Sequence, residues 1–187
     1  VGANTITTVV TAQDGTTQLT YTITVTRISN DATLSNLTIS SGTLSPTFAT
    51  GTYTYTASVS NATTSVTVTP TRNQANATIT VNGTATTSGS PSSPISLNVG
   101  TNTITTTVTA QDGTTQQAYT ITVTRVSTDA ALSNLTISSG TLTPTFASGT
   151  YTYTASVAHA TTHITVTPTA NQANATITVN GTAATSG

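Results

Sequence analysis

VTAQDGTTQQAYTITVTR, residues Val108–Arg125, closes the one complete copy of a unit that LSNLTISSGTL, residues Leu34–Leu44, opens. In its last part Tyr119, Ile121 and Val123 alternate with Thr120, Thr122 and Thr124. Strict alternation at period two gives a strand one buried and one wet face. Upstream, Ile104, Thr106, Val108 and Ala110 alternate in the same way, and QDGTTQ between the two runs reads as a hairpin. Asp-Gly suits a two-residue turn because both positions of a type I′ turn need φ > 0.

The rest of the unit repeats this grammar. Leu37 and Ile39 share one face of a first strand, and Tyr53, Tyr55, Ala57 and Val59 share one face of the next. Val66 and Val68 follow in VTVTP, where Pro70, having no N–H to donate, is expected to end the ladder. Ile79 and Val81 mark a strand closed by Asn82-Gly83, and Ile95, Leu97 and Val99 mark a short one. No stretch shows helical periodicity. The expectation is all-β: antiparallel sheets packed as a sandwich, with about seven strands per repeat.

Residues 1–89 align with 99–187 at an offset of 98 without gaps, and 74 of the 89 positions are identical. Residues 1–27 repeat the end of the unit and residues 132–187 its beginning. The domain reading is therefore 1–27 as the end of a preceding repeat, 34–125 as a complete sandwich, and 132–187 as the start of a following one. ISNDAT (28–33) and VSTDAA (126–131) are read as linkers, short enough to hold successive domains end to end. Two full periods lack only the counterpart of SPSSPISLN, Ser90–Asn98. The chain opens inside a repeat, so its native N-terminus is expected elsewhere. A period this long suits whole domains strung as beads, not a solenoid.

Composition excludes more than it reveals. Thr supplies 56 of 187 residues and fits a pleated strand. Lys, Glu, Cys, Met and Trp are absent. The charges are Asp14, Asp31, Asp112, Asp129, Arg27, Arg72 and Arg125, net −1. A basic footprint for nucleic acid is missing, as is a polybasic membrane patch. No apolar run has the length of a transmembrane helix, and no membrane insertion is expected in this segment. The absence of Cys fits an exported bacterial protein that avoids thiols.

As a whole string, LSNLTISSGTL…TYTYTASV…VTVTP…ATITVNG…LNVGTNTIT…VTAQDGTTQQAYTITVTR resembles the cadherin-like β-sandwich domain of bacterial surface and secreted proteins. The resemblance covers Leu34–Arg125 in full, with residues 1–27 matching its last two strands and 132–187 its first part. It implies an immunoglobulin-like sandwich in a large, modular, extracellular protein. It does not carry calcium with it. A Ca²⁺ ion takes roughly six to eight oxygens, and each linker offers one carboxylate, Asp31 or Asp129.

The remaining candidates read as structural. His159 and His163 are the only imidazoles, their counterparts are Asn61 and Ser65, and two ligands do not make a zinc site. Asp14 and Asp112 sit in turns, and no acid pair or Ser-His-Asp set is apparent. Arg27 and Arg125 end strands with Asp31 and Asp129 four residues on, which suggests a linker ion pair or edge protection. Arg72 has Ala170 as counterpart. The Tyr residues 21, 53, 55, 119, 151 and 153 fall on apolar faces and are expected in cores, hydroxyls reaching backbone partners. Lys–Asn isopeptide links are excluded for want of Lys. No catalytic, cofactor-binding or metal residue is assigned, and no cofactor.

The function expected is structural and non-enzymatic: part of an extracellular or cell-surface fibre, filament or stalk. Its partners are adjacent repeats or copies of itself, joined head to tail in one covalent chain or by strand exchange. An adhesin module recognising cell-surface glycans is the alternative. Ice binding by the outward Thr rows is a minor one.

Overall fold

A computed structural model describes residues 1–187, and they form strands and turns with no helix. The chain divides into two compact units, Val1–Val126 and Ser127–Gly187. The first unit opens with a hairpin of β1 (Gly2–Thr11) and β2 (Gln18–Arg27). These two strands pair only with each other, in register from Gly2↔Arg27 to Thr11↔Gln18.

A β-sandwich follows. Its strands are β3 (Leu34–Ile39), β4 (Thr54–Val59), β5 (Ser65–Val66), β6 (Val68–Arg72), β7 (Thr78–Val81), β8 (Thr84–Ala85), β9 (Ile95–Ser96), β10 (Gly100–Thr109) and β11 (Gln116–Arg125). One sheet has the order β4-β11-β10-β7-β8, and the pairs β3-β6 and β5-β9 supply the other face. Residues from both faces form a single core, with Leu34, Leu37, Val66 and Val68 meeting Tyr55, Ile104, Ile121 and Val123. The sandwich thus has nine strands where about seven are read from the sequence, because the run holding Val66 and Val68 is divided into β5 and β6 and the two-residue β8 is added.

Local chemistry explains how the chain reaches these positions. Leu34 and Leu37 are both buried although three residues apart, which strict alternation forbids. A register shift between Leu34 and Asn36 resolves this by placing one extra residue in β3. Pro70 does not end its strand: it sits inside β6, opposite Leu37. Its carbonyl turns away from β3 to accept from the Gly89 N–H at 2.8 Å. The missing N–H faces that same side, so the β3 ladder loses nothing.

The two turns differ. Asn82 and Gly83 both have positive φ (47° and 80°), as a type I′ turn requires. In the β10–β11 hairpin only Gly113 does, and the expected two-residue Asp-Gly turn is not formed. The loop is longer: the Gly113 N–H donates to Ala110 O at 3.0 Å and the Ala110 N–H to Thr115 O at 2.9 Å. Val99, read as part of a strand face, lies outside β9 and is 47 % exposed.

The second unit contains β12 (Leu132–Ile137), β13 (Val166–Ala170), β14 (Ile177–Val179) and β15 (Thr182–Ala184). The β12–β13 pair repeats β3–β6 down to the register shift, here between Leu132 and Asn134. This unit holds no counterpart of β10 and β11. Its YTYTASV, residues 151–157, is identical to residues 53–59 yet forms no strand, only an isolated bridge from Thr154 to Thr143. A strand needs a partner to satisfy its backbone groups, and in the first unit that partner is β11.

Candidate functional site

Chemically active side chains are few, and the four carboxylates and two of the three arginines are occupied by the fold. The Asp112 carboxylate accepts from the N–H groups of Thr114 (2.9 Å) and Thr115 (2.8 Å) and from the Thr115 hydroxyl (2.6 Å). Asp14 makes the same three bonds to Thr16 and Thr17. The Thr17 and Thr115 hydroxyls, followed by the backbone N–H groups, hold these two carboxyls down to about 2 from 3.8.

The expected Arg–Asp linker pair does not form. Asp31 accepts from the Thr33 hydroxyl (2.6 Å) and N–H (2.9 Å) and from Asn73 Nδ2 (2.7 Å), bonds that lower its pKa, the hydroxyl most. Arg125 instead donates through Nε to Asn61 O (2.8 Å) and through Nη1 to Leu97 O (2.9 Å). Arg72 donates to Ala77 O. A short connector is better tied by backbone and hydroxyl bonds than by an exposed ion pair. Ser29 and Ala32 in the 28–33 segment are buried, with the Ser29 N–H on Gln111 Oε1 and Ser29 O accepting from the Asp112 N–H.

His159 and His163 are exposed, and His163 lies beside the Thr162 hydroxyl. No group of three or more His, Cys, Asp or Glu side chains comes together. Tyr55 and Tyr119 are buried with their hydroxyls engaged, Tyr55 donating to Thr52 O (2.7 Å) and Tyr119 accepting from the Leu34 N–H (2.9 Å). Burial raises the pKa of both. Tyr53 stacks edge-on against Tyr119 at 5.3 Å but stays partly exposed. Tyr21 and Tyr151 are exposed, contrary to the expectation of a core position.

Those two tyrosines belong to the feature that does stand out, two apolar surfaces left uncovered. In the sandwich Tyr119 and Ile121 are 1 % and 0 % exposed; their counterparts in the first hairpin, Tyr21 and Ile23, are 57 % and 58 % exposed. In the second unit Val157 and Ile164 are exposed, whereas Val59 and Val66 are buried. Pro168 is the only buried residue of that unit. On the outer face of the large sheet, Thr56, Thr122 and Thr103 line up across three strands, as do Thr54, Thr120 and Thr105.

The profile of the cadherin-like beta sandwich domain matches residues 1–28, 34–126 and 132–187. The chain belongs to that family. No curated protein matches it. Cadherin-like sandwiches are typically structural or adhesion modules, and the chain is a surface, adhesion or structural module in that coarse sense. No helix of this cadherin-like chain is long and apolar enough to cross a membrane.

Two features of the cadherin-like sandwich escaped sequence reasoning. The Tyr119–Leu34 tether joins residues 85 apart, and no local pattern announces it. The failure of residues 151–157 to form a strand has no local signal, since residues 53–59 carry the same letters; only the repeat alignment, which gives 132–187 no counterpart of β11, carries it.

Proposed function

We propose that this chain is a non-enzymatic segment of an extracellular, cell-surface array of sandwiches, a fibre or stalk in which each domain serves as a spacer joined head to tail to the next. The observation that carries this reading is where the chain enters and leaves the complete sandwich. Ser29, just before β3, is bonded to Gln111 and Asp112 at the β10–β11 turn. The chain leaves at Arg125, the far end of the ten-residue β11. Entry and exit are thus about 30 Å apart along the sheet, at opposite ends of one domain, as a linear array requires. The near-identity of the repeats supports a regular spacing, and the scarcity of charge and thiols suits a passive surface. Electron cryo-microscopy of native material tests it: filaments with an axial period of one or two domains are expected. Isolated globular particles would overturn the fibre and stalk readings alike.

A second reading, glycan adhesion, draws on a shallow recess lined by Asn36, Ile39, Gly42, Thr43, Thr47 and Phe48, which recurs at Asn134–Phe146. Retention of a sugar on a glycan array by the 187-residue chain would favour it. Ice binding rests on the Thr rows of the outer sheet, and thermal hysteresis is its readout.

A further inference from the structure

The five-stranded sheet β4-β11-β10-β7-β8 has two edges. One is β8, only two residues long. The other is β4, whose sequence is of the kind that pairs with itself. Tyr53–Val59 is seven residues of Tyr, Thr, Ala, Ser and Val, without charge, Pro or Gly. The usual deterrent, a lysine on the edge, is absent from the whole chain. Backbone groups alternate sides along a strand. The Tyr53 and Val59 carbonyls face the β11 side, accepting from the N–H groups of Thr120 (2.8 Å) and Val126 (3.1 Å). Thr54, Thr56 and Ser58 therefore offer theirs to the open side. A strap, Gly42–Ser45, lies across that side. The Ser45 N–H donates to Thr56 O and the Thr56 N–H to Ser45 O, both at 2.8 Å. Gly42 seats over Ser58 O: a Cβ there would stand 2.8 Å from that oxygen and 3.2 Å from a Val59 methyl, and its φ is +80°. Only glycine fits both the space and the angle. Leu44 anchors the strap in the core. The same device recurs at 140–143, where a Cβ on Gly140 would stand 2.7 Å from Ser156 O, and Thr143 exchanges bonds of 2.8 and 2.9 Å with Thr154. It forms there without a strand beneath it, so the strap is shaped by its own residues.

We propose that the strap Gly42–Ser45 masks a pairing surface: once it is displaced, the β4 edge joins β4 of a second copy, antiparallel about a two-fold axis. The occupant is a second copy because the edge is self-complementary. Thr54, Thr56 and Ser58 of one copy meet the same three residues of the other, with no charge on either side to oppose them. Strand addition at an open edge needs only main-chain bonds, and the strap takes the central pair of them, at Thr56. In an array the strap would keep neighbouring fibres from zipping side by side.

Sedimentation of the 187-residue chain tests it, with amide exchange at the buried β11 positions reporting that the sandwich is folded. Gly42→Val drives a branched side chain toward Ser58 O at a φ it does not adopt, and is expected to lift the strap. Its average mass is expected to be at least about twice that of the wild type at the same concentration, as an edge-to-edge pair requires. Gly42→Ala, the gentler change, is expected to fall between the two. Thr54→Lys adds a charge at an exposed position of the edge, and in either Gly42 background it is expected to return the mass to the wild-type value. The bulkier Gly42 variant that keeps its β11 amides protected decides the matter: a wild-type mass overturns the proposal. Association that Thr54→Lys leaves in place overturns it too, because that is not pairing through β4. If both variants lose β11 protection, the strap is a folding element and not a mask, and the proposal falls.

Discussion

Tyr119 does more at the residue scale than fill space. Its ring is buried between the sheets, and its hydroxyl is the acceptor for the Leu34 N–H at the start of β3. Tyr119→Phe keeps the ring and orphans a buried N–H, so the central sandwich is expected to lose about 1–3 kcal/mol, read from urea unfolding. Thr106 is the opposite case: fully buried, with a hydroxyl that finds no partner. Thr106→Val keeps the shape and removes the orphan, and is expected to raise stability by about 1 kcal/mol in the same assay. Asp112 gives the pH dependence. Its folded value, about 2, lies below the 3.8 of a free carboxylate. The turn's contribution to stability is therefore complete above about pH 4 and fades as pH falls through about 2. Asp112→Asn is expected to flatten that acid limb of the stability profile.

Elements behave here according to what lies beside them. The letters YTYTASV make a strand at 53–59 and none at 151–157, because only the first has β11 alongside. Propensity is the same in both places, and the partner decides. The hairpin β1–β2 is paired internally but lends no strand to the five-stranded sheet. Deleting residues 1–27 is therefore expected to leave the unfolding midpoint of Leu34–Arg125 unchanged, checked by amide exchange at the buried β11 positions. A fall in their protection would mean that the hairpin supports the neighbouring sandwich. The register of β10–β11, its outward Thr and its inward Ile, Val and Tyr were legible, since alternation at period two carries them. The bulge in β3 and the place of Pro70 within β6 were not, because both answer to a neighbouring strand and not to their own sequence.

Over the whole molecule, the scarcity of charge is itself a physical property. With seven charged residues in 187, and with Asp31 and Arg125 bonded to uncharged partners, little of the stability is open to screening. Raising the salt from about 0.05 M to 1 M shortens the Debye length several-fold, yet the unfolding midpoint and the sedimentation profile are expected to move little. A large shift would point to charged contacts that this composition does not supply. Burial carries the stability instead.

The sequence by itself determined the all-β class, the 98-residue repeat, the family resemblance and most of the inward-facing set, though not Ala32, Leu34, Leu44 or Ala77. Each of these is a local pattern or a self-comparison, and alternation converts directly into faces. The tertiary structure alone decided the bulge in β3, the place of Pro70 inside β6 and the bond from the Leu34 N–H to the Tyr119 hydroxyl. Each of these answers to a strand far away in the chain, so no local pattern announces it. No local stretch encodes whether its partner is present.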